Sequence, residues 1–342
     1  MDNLMEKFSL LTQDEKQKIY NLVHGEINIY QENDLLILDN HSEPMDEHEY
    51  LQVKNIISKY FDDKWLLIHC NLHCDFPNTR VWDSQYTRTH HHITNSNNWN
   101  FIPFKVDDLK NKREKVFLFY NGSCGDRAVH RLMSFHYLLE YDILNKTLYS
   151  MLEKPTQITY DNLNQYDSFF NSGVDWKKHE DFFEQGPYLL DIDLGENDFI
   201  DLNNSYSSTP VNSLDLPLSH IKQTYFNLVT ESFFFEPYWC QNKSLFDISE
   251  KTYKAVLTQP FIIMARPGIL KYLRGKGFDT FDDVFDNSYD EIENDWERFQ
   301  AIMKEVKRVC DLKQETLHEL YLNCVDRIIY NQQKFLSYEG KI

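Results

Sequence analysis

Tyr225-Phe226-Asn227-Leu228-Val229-Thr230, Ser249-Glu250-Lys251-Thr252-Tyr253-Lys254-Ala255-Val256-Leu257 and Pro260-Phe261-Ile262-Ile263-Met264 follow one another closely in this chain. The outer two have the length and apolar content of buried strands, and the middle one opens on serine, a residue type that caps helix N-termini. Strand, helix, strand is the crossover unit from which parallel sheets are built. Ser249 is then the N-cap, with Glu250 and Lys251 in the first turn. Amide donors and the helix dipole favour a phosphate at such a place, Lys251 adds a mobile positive charge, and Glu250 accepts from ribose hydroxyls. A well-capped surface helix has the same opening, so the surrounding chain must decide.

The alternation continues outward in both directions. Val116 to Tyr120 reads as a strand, Arg127 to Leu139 as a helix with Val129, Leu132, Met133, His136 and Leu139 inward, and Thr147 to Leu152 as a strand. Tyr188 to Leu194 reads as another strand, whereas Asp161 to Gly186 has no clear period and is taken as a surface excursion. Near the start, Thr12-Gln13-Asp14-Glu15 forms a capping box ahead of Ile19, Leu22 and Val23. A buried strand at Leu35 to Leu38, a helix at Glu47 to Tyr60 and a strand at Trp65 to Ile68 then make a further crossover unit. Cys70 to Trp99 is polar and loop-like, with one short strand-like run at Thr79-Arg80-Val81-Trp82. Two long amphipathic helices close the chain: Ile292, Trp296, Phe299, Met303, Val306 and Cys310 line the first, and Leu317, Leu320, Tyr321, Cys324 and Ile328 the second. The expected class is α/β. A boundary near Lys112 divides residues 1–112 from 113–310, and 311–342 form a C-terminal helix packing back on the body.

The 342 residues carry a formal charge of -19, which opposes broad binding to nucleic acid or anionic membranes. Aromatic residues make up 15% of the chain, ample for a large core. Cysteines 70, 74, 124, 240, 310 and 324 form no dense disulfide framework, which fits a reducing cytoplasm. The N-terminal residues lack the basic-then-apolar pattern of a signal peptide, and no run of eighteen apolar residues occurs. The expectation is a cytoplasmic protein with no membrane span.

Ligands of open alternating sheets collect beyond the carboxyl ends of the strands. Asn121 to Asp126 lies at such an end, and Arg127 and Arg131, one turn apart, carry charge suited to a diphosphate. The plain alternative is a loop before a helix whose arginines meet nearby carboxylates. Glu231 stands just past the strand ending at Thr230, where a strand-terminal carboxylate with no ligand is one reading. Asp191-Ile192-Asp193 has the spacing of a metal-nucleotide pair, although one such pair arises easily in an acidic chain. His69-Cys70-Asn71-Leu72-His73-Cys74 has the look of half a zinc site without its second half, and His90-His91-His92 reads as exposed loop. Asp75 and His69 follow the strand Trp65 to Ile68, which makes them the candidate general bases ahead of Asp83.

From Leu245 onward come Glu250 and Lys251, Pro260 and Phe261, Pro267 and Gly268, Gly277 and Phe278, Ser288-Tyr289-Asp290 and Arg298. Earlier stand Val116-Phe117-Leu118-Phe119-Tyr120-Asn121 and Arg127-Ala128-Val129-His130-Arg131. In this order they resemble the donor-binding half of phage-associated and bacterial glycosyltransferases related to the alpha-1,3-fucosyltransferases. The resemblance covers roughly Val116 to Ala301, and the loop Gly122-Ser123-Cys124-Gly125-Asp126 departs from the Arg and Pro usual there. It implies a GT-B-like fold, two Rossmann-like domains facing a cleft with C-terminal helices. It also implies inverting transfer from a nucleotide-sugar. Donor-side residues would be Asn121, Arg127, Arg131, Glu231, Ser249, Glu250 and Lys251. With three cations for the leaving diphosphate, neither a metal nor any cofactor beyond the nucleotide-sugar co-substrate is expected. A glycan acceptor fits the negative charge. A hydroxymethylated base of phage DNA and a noncatalytic nucleotide- or sugar-binding module are the alternatives.

Overall fold

The computed structural model describes residues 4–22, 27–40, 47–69, 77–81, 109–122, 128–152, 154–170, 172–188, 218–235 and 248–337. Two compact units emerge: Met1–Arg88 with Glu236–Ile248 and Gly340–Ile342, and Thr89–Phe235 with Ser249–Glu339.

In the first unit, helices α1 (Leu4–Ser9) and α2 (Gln13–Leu22) precede strands β1 (Asn28–Glu32) and β2 (Leu35–Asn40). Helix α3 (Glu47–Phe61), β3 (Trp65–His69) and β4 (Thr79–Val81) follow. The sheet order is β1-β2-β3-β4, antiparallel between β1 and β2 and parallel elsewhere. The expected capping box forms: Thr12 Oγ1 accepts from the Glu15 amide at 3.2 Å, and Glu15 Oε2 accepts from the Thr12 amide at 3.1 Å. The same carboxylate takes hydrogen bonds from Lys59 at 3.3 Å and Tyr60 at 3.0 Å, which fasten α2 to α3. Ile19, Leu36, Leu38, Val53, Ile57, Trp65 and Leu67 form the buried core between helices and sheet. The edge strand β1 escapes sequence reading because its residues are exposed or half-buried in alternation, with polar Asn28, Gln31 and Glu32 among them.

The second unit runs β5 (Lys115–Asn121), α4 (Val129–Glu140), β6 (Thr147–Met151), α5 (Gln157–Phe170), α6 (Glu180–Glu184), α7 (Leu218–Gln223) and β7 (Thr224–Thr230). Then come α8 (Glu250–Thr258), β8 (Phe261–Met264), α9 (Ile269–Gly275), α10 (Asp295–Cys310), α11 (Gln314–Leu322) and α12 (Val325–Leu336). Its sheet is parallel throughout, in the order β6-β5-β7-β8. Every residue of β7 and β8 is buried, as expected for strands covered on both faces. From β5 the chain moves outward to β6, then returns to the other side of β5 for β7 and continues to β8. The strand order therefore reverses between β5 and β7, the position where open parallel sheets leave a crevice beyond their carboxyl ends.

Several expectations are corrected here. Residues 161–186 are not an excursion, since α5 and α6 occupy much of the stretch; Leu163, Trp176 and Phe183 are buried within it. Tyr188 makes one antiparallel bridge to Met151, and Leu189 to Leu194 lie outside the described residues. The second closing helix divides at Asn323 and Cys324, so that α11 packs on β7 while α12 packs on α8. No glycine or proline announces this break. The boundary expected near Lys112 falls inside the second unit, and so do α11 and α12. Just past that point, Arg113 Nη1 donates to the carbonyls of Ile221 and Lys222 at 3.1 and 2.7 Å, and Nη2 donates to the Tyr321 hydroxyl at 2.7 Å. Those bonds tie the entry to β5 to both α7 and α11. Among the described residues no helix is long and apolar enough to cross a membrane.

Candidate functional site

The carboxyl ends of β5 and β7 are joined side chain to side chain. Thr230 Oγ1 donates to Asn121 Oδ1 at 2.7 Å, and both residues are buried. One residue further, Glu231 is only 1% exposed, and its amide donates to the Met264 carbonyl at 3.0 Å, which holds it level with the end of β8. Its Oε1 accepts from the Ser249 amide at 3.1 Å and from the Thr252 hydroxyl. A buried carboxylate needs such donors, because desolvation without them costs several kcal/mol (roughly, per ion). The start of α8 is thereby fixed to the end of β7.

Ser249 caps α8 as the sequence predicts: its backbone is extended and its Oγ accepts from the Lys251 amide at 3.3 Å. Lys251 Nζ lies 3.4 Å from Ser249 Oγ and 3.3 Å from Glu250 Oε1. Burial works to raise the Glu250 carboxyl, but the ammonium groups of Lys251 and Lys254 outweigh it and hold the pKa below the ordinary glutamate value. Lys251 retains 28% of its side-chain exposure, so its pairing with Glu250 is the weak, exchangeable kind. Behind the helix, Gln332 Nε2 donates to the Leu257 carbonyl at 2.8 Å, and the rings of Tyr253 and Phe335 pack 5.8 Å apart. That backing fastens α8 to α12.

Arg131 departs from the open phosphate clamp expected of it. It is 5% exposed, and its Nη2 donates to the carbonyls of Thr230 and Glu231 at 3.3 and 3.5 Å. Its neighbour His130 shares the Glu231 carbonyl through Nε2 at 2.9 Å and stacks on Phe234 with centroids 5.3 Å apart. Arg131 therefore positions the end of β7 and lends charge from within. Helix α4 begins at Val129, two residues later than expected. Arg127, Asp75, Asp83, His90 to His92 and Asp191 to Asp193 lie outside the described residues, as does the side chain of His69, which ends β3. The described candidates Asn121, Arg131, Glu231, Ser249, Glu250 and Lys251 are linked by consecutive contacts around the end of β7. Thr230, Thr252 and His130 complete the cluster and were not singled out as site residues; their partners are distant in sequence, so no local pattern marks them.

Three further motif residues, Gly268, Tyr289 and Asp290, shape the backbone. Asp290 Oδ1 accepts from the amides of Gly268 and Leu270 at 3.1 Å each, and Oδ2 accepts from Lys271 at 3.0 Å, capping α9. Gly268 sits at φ 90°, a conformation that favours glycine. The Tyr289 hydroxyl accepts from the Ile263 amide at 3.2 Å and so satisfies the edge strand β8.

Burial, together with the positive charges of Arg131 and Arg298, holds the His130 pKa well below the ordinary histidine value of 6.5. The unfolded chain thus binds a proton more readily than the folded one. Stability from keeping His130 neutral is fully present above pH 6.5 and is lost as the pH falls toward the depressed folded value. The melting temperature should drop between pH 7 and pH 5, and His130→Gln should flatten that slope. Parallel curves for the two proteins would contradict this assignment.

No protein-family model, curated protein or solved structure matches the chain. The functional assignment therefore stands on the quoted motif residues and on the geometry at the ends of β5 and β7.

Proposed function

We propose that the chain is a glycosyltransferase of GT-B type that moves a sugar from a nucleotide-sugar donor to an acceptor hydroxyl, with the second unit as its donor-binding domain. One observation carries the reading: Asn121, Glu231 and the capped start of α8 meet at the point where the strand order reverses. That is where an open parallel sheet receives a nucleotide. In transfer, the bond from the anomeric carbon to the diphosphate breaks as the acceptor oxygen forms its own bond to that carbon. The acceptor proton goes to a base, for which His69 and Asp75 are the candidates, and negative charge collects on the leaving diphosphate. Lys251 exchanges its Glu250 contact for that charge, helped by the amides at the start of α8 and by the buried charge of Arg131. Glu231 sets the spacing between strand and helix. No step in this scheme calls on a metal. The net charge of -19 favours a glycan over DNA as acceptor.

The full chain should be incubated with uridine, guanosine, cytidine and thymidine diphosphate sugars. At least one is expected to release free nucleoside diphosphate above the rate in buffer. Release from none of them would exclude the catalytic reading in favour of a binding module.

A further inference from the structure

Apart from the edge of β5 and β7, the last turns of α4 and the segment leading into α6 bring three metal-ligating side chains together. One nitrogen each of His136 and His179 and one carboxylate oxygen of Glu140 lie within 4.8 Å of one another. His136 and Glu140 are four residues apart and share one face of α4. His179 is the residue immediately before α6, and its Nε2 is 2.5 Å from Glu140 Oε1. The His136 ring is 3% exposed and packs against Trp176 and His179, each with centroids 5.0 Å away. Its Nδ1 has no hydrogen-bond partner. Buried imidazole nitrogens are normally satisfied, so an unpartnered one beside a histidine and a carboxylate needs an explanation.

We propose that His136, Glu140 and His179 bind one zinc ion that clips the end of α4 to the start of α6. Two imidazoles and a carboxylate are a zinc donor set, and water completes the coordination. With zinc bonds of about 2.0–2.2 Å, tetrahedral ligand atoms stand roughly 3.4 Å apart, so side-chain shifts of about an ångström suffice. The hydrogen bond between His179 and Glu140 gives way to the ion. Lys178 Nζ, now 2.8 Å from Glu140, is on a side chain 57% exposed and can turn outward to solvent. The site is structural and separate from the donor site. Sequence reading assigns no metal to these residues because it leaves 161–186 without structure and so has no means of placing His179 beside α4.

The full chain, stripped with EDTA, should be dialysed against Zn2+ and, separately, Co2+. One equivalent is expected, with the visible absorption of four-coordinate cobalt. A hundredfold excess of zinc over its Kd should raise the melting temperature by roughly 5–10 °C. His179→Asn, which keeps a residue suited to precede a helix, and Glu140→Gln should each lose the cobalt spectrum and the zinc shift while folding normally. The chain has 13 histidines, three of them consecutive at His90 to His92, so replacing those three with alanine is the necessary control and should leave binding intact. Failure to bind one equivalent would overturn the proposal, as would binding that persists in His179→Asn or that disappears in the triple-alanine variant.

Discussion

Lys251→Ala should lower the rate of sugar transfer by roughly 10²–10³-fold, the loss seen when one stabilising donor is removed from a developing negative charge. The ammonium is held at the start of α8 by Ser249 Oγ at 3.4 Å and Glu250 at 3.3 Å. That contact is single and long, between side chains 28% and 17% exposed, and its loss costs about 1 kcal/mol, so the folded state should change little. Transfer rate and melting temperature must therefore separate in this variant. Lys251→Arg should recover part of the rate, because charge is restored while the compact ammonium geometry is not. Full activity of Lys251→Ala at limiting donor would remove Lys251 from the mechanism. A large fall in melting temperature would instead make it a structural residue.

Arg298→Ala should have the largest effect on stability. Its guanidinium is 1% exposed and donates from three nitrogens: Nε to the Ala265 carbonyl at 3.1 Å, Nη1 to Ile292 at 2.8 Å, and Nη2 to Phe234 at 2.8 Å. Asp295 Oδ1 lies 2.5 Å from Nη2, and the group sits 4.6 Å from the Phe234 ring centroid. Three segments thus converge on one side chain: the exit of β8, the approach to α10 and the residues beyond β7. Truncation takes this donor from the carbonyls of Ala265, Ile292 and Phe234 at once, a loss of about 3–5 kcal/mol. For a unit of this size the melting temperature should fall by roughly 10 °C. Arg298→Lys should rescue little, since a single ammonium cannot reach acceptor carbonyls on three sides. A melting temperature within about 1 °C of the parent would show that this pin is dispensable.

What could be read from the sequence was what local chemistry dictates. The capping box at Thr12 and Glu15 and the cap at Ser249 depend on residues three or fewer positions apart, and both are observed. The buried strands β2, β3, β5, β7 and β8 were legible because doubly covered strands are continuous apolar runs. Contacts between distant residues were not legible. The Thr230 to Asn121 bond spans 109 positions, and the cradle around Glu231 is built by Ser249 and Thr252 across a long connection. The pattern containing Asp290 and Arg298 was visible as a motif, but its meaning was not. Both residues serve the backbone, Asp290 as the cap of α9 and Arg298 as the pin beneath the site. Arg131 went the same way: a charge at a helix start looks exposed in sequence, yet the packing of α4 against the end of β7 buries it.

The most direct measurement is the melting temperature of the full chain with and without saturating nucleoside diphosphate, taken across the four bases in parallel for the parent and for Lys251→Ala. A ligand that binds only the folded form stabilises it by about 2.7 kcal/mol at a hundred times its Kd. A clear rise with at least one diphosphate in the parent, strongly reduced in Lys251→Ala, is the predicted result. Equal rises in both proteins, or none with any of the four, would contradict a diphosphate site at the start of α8.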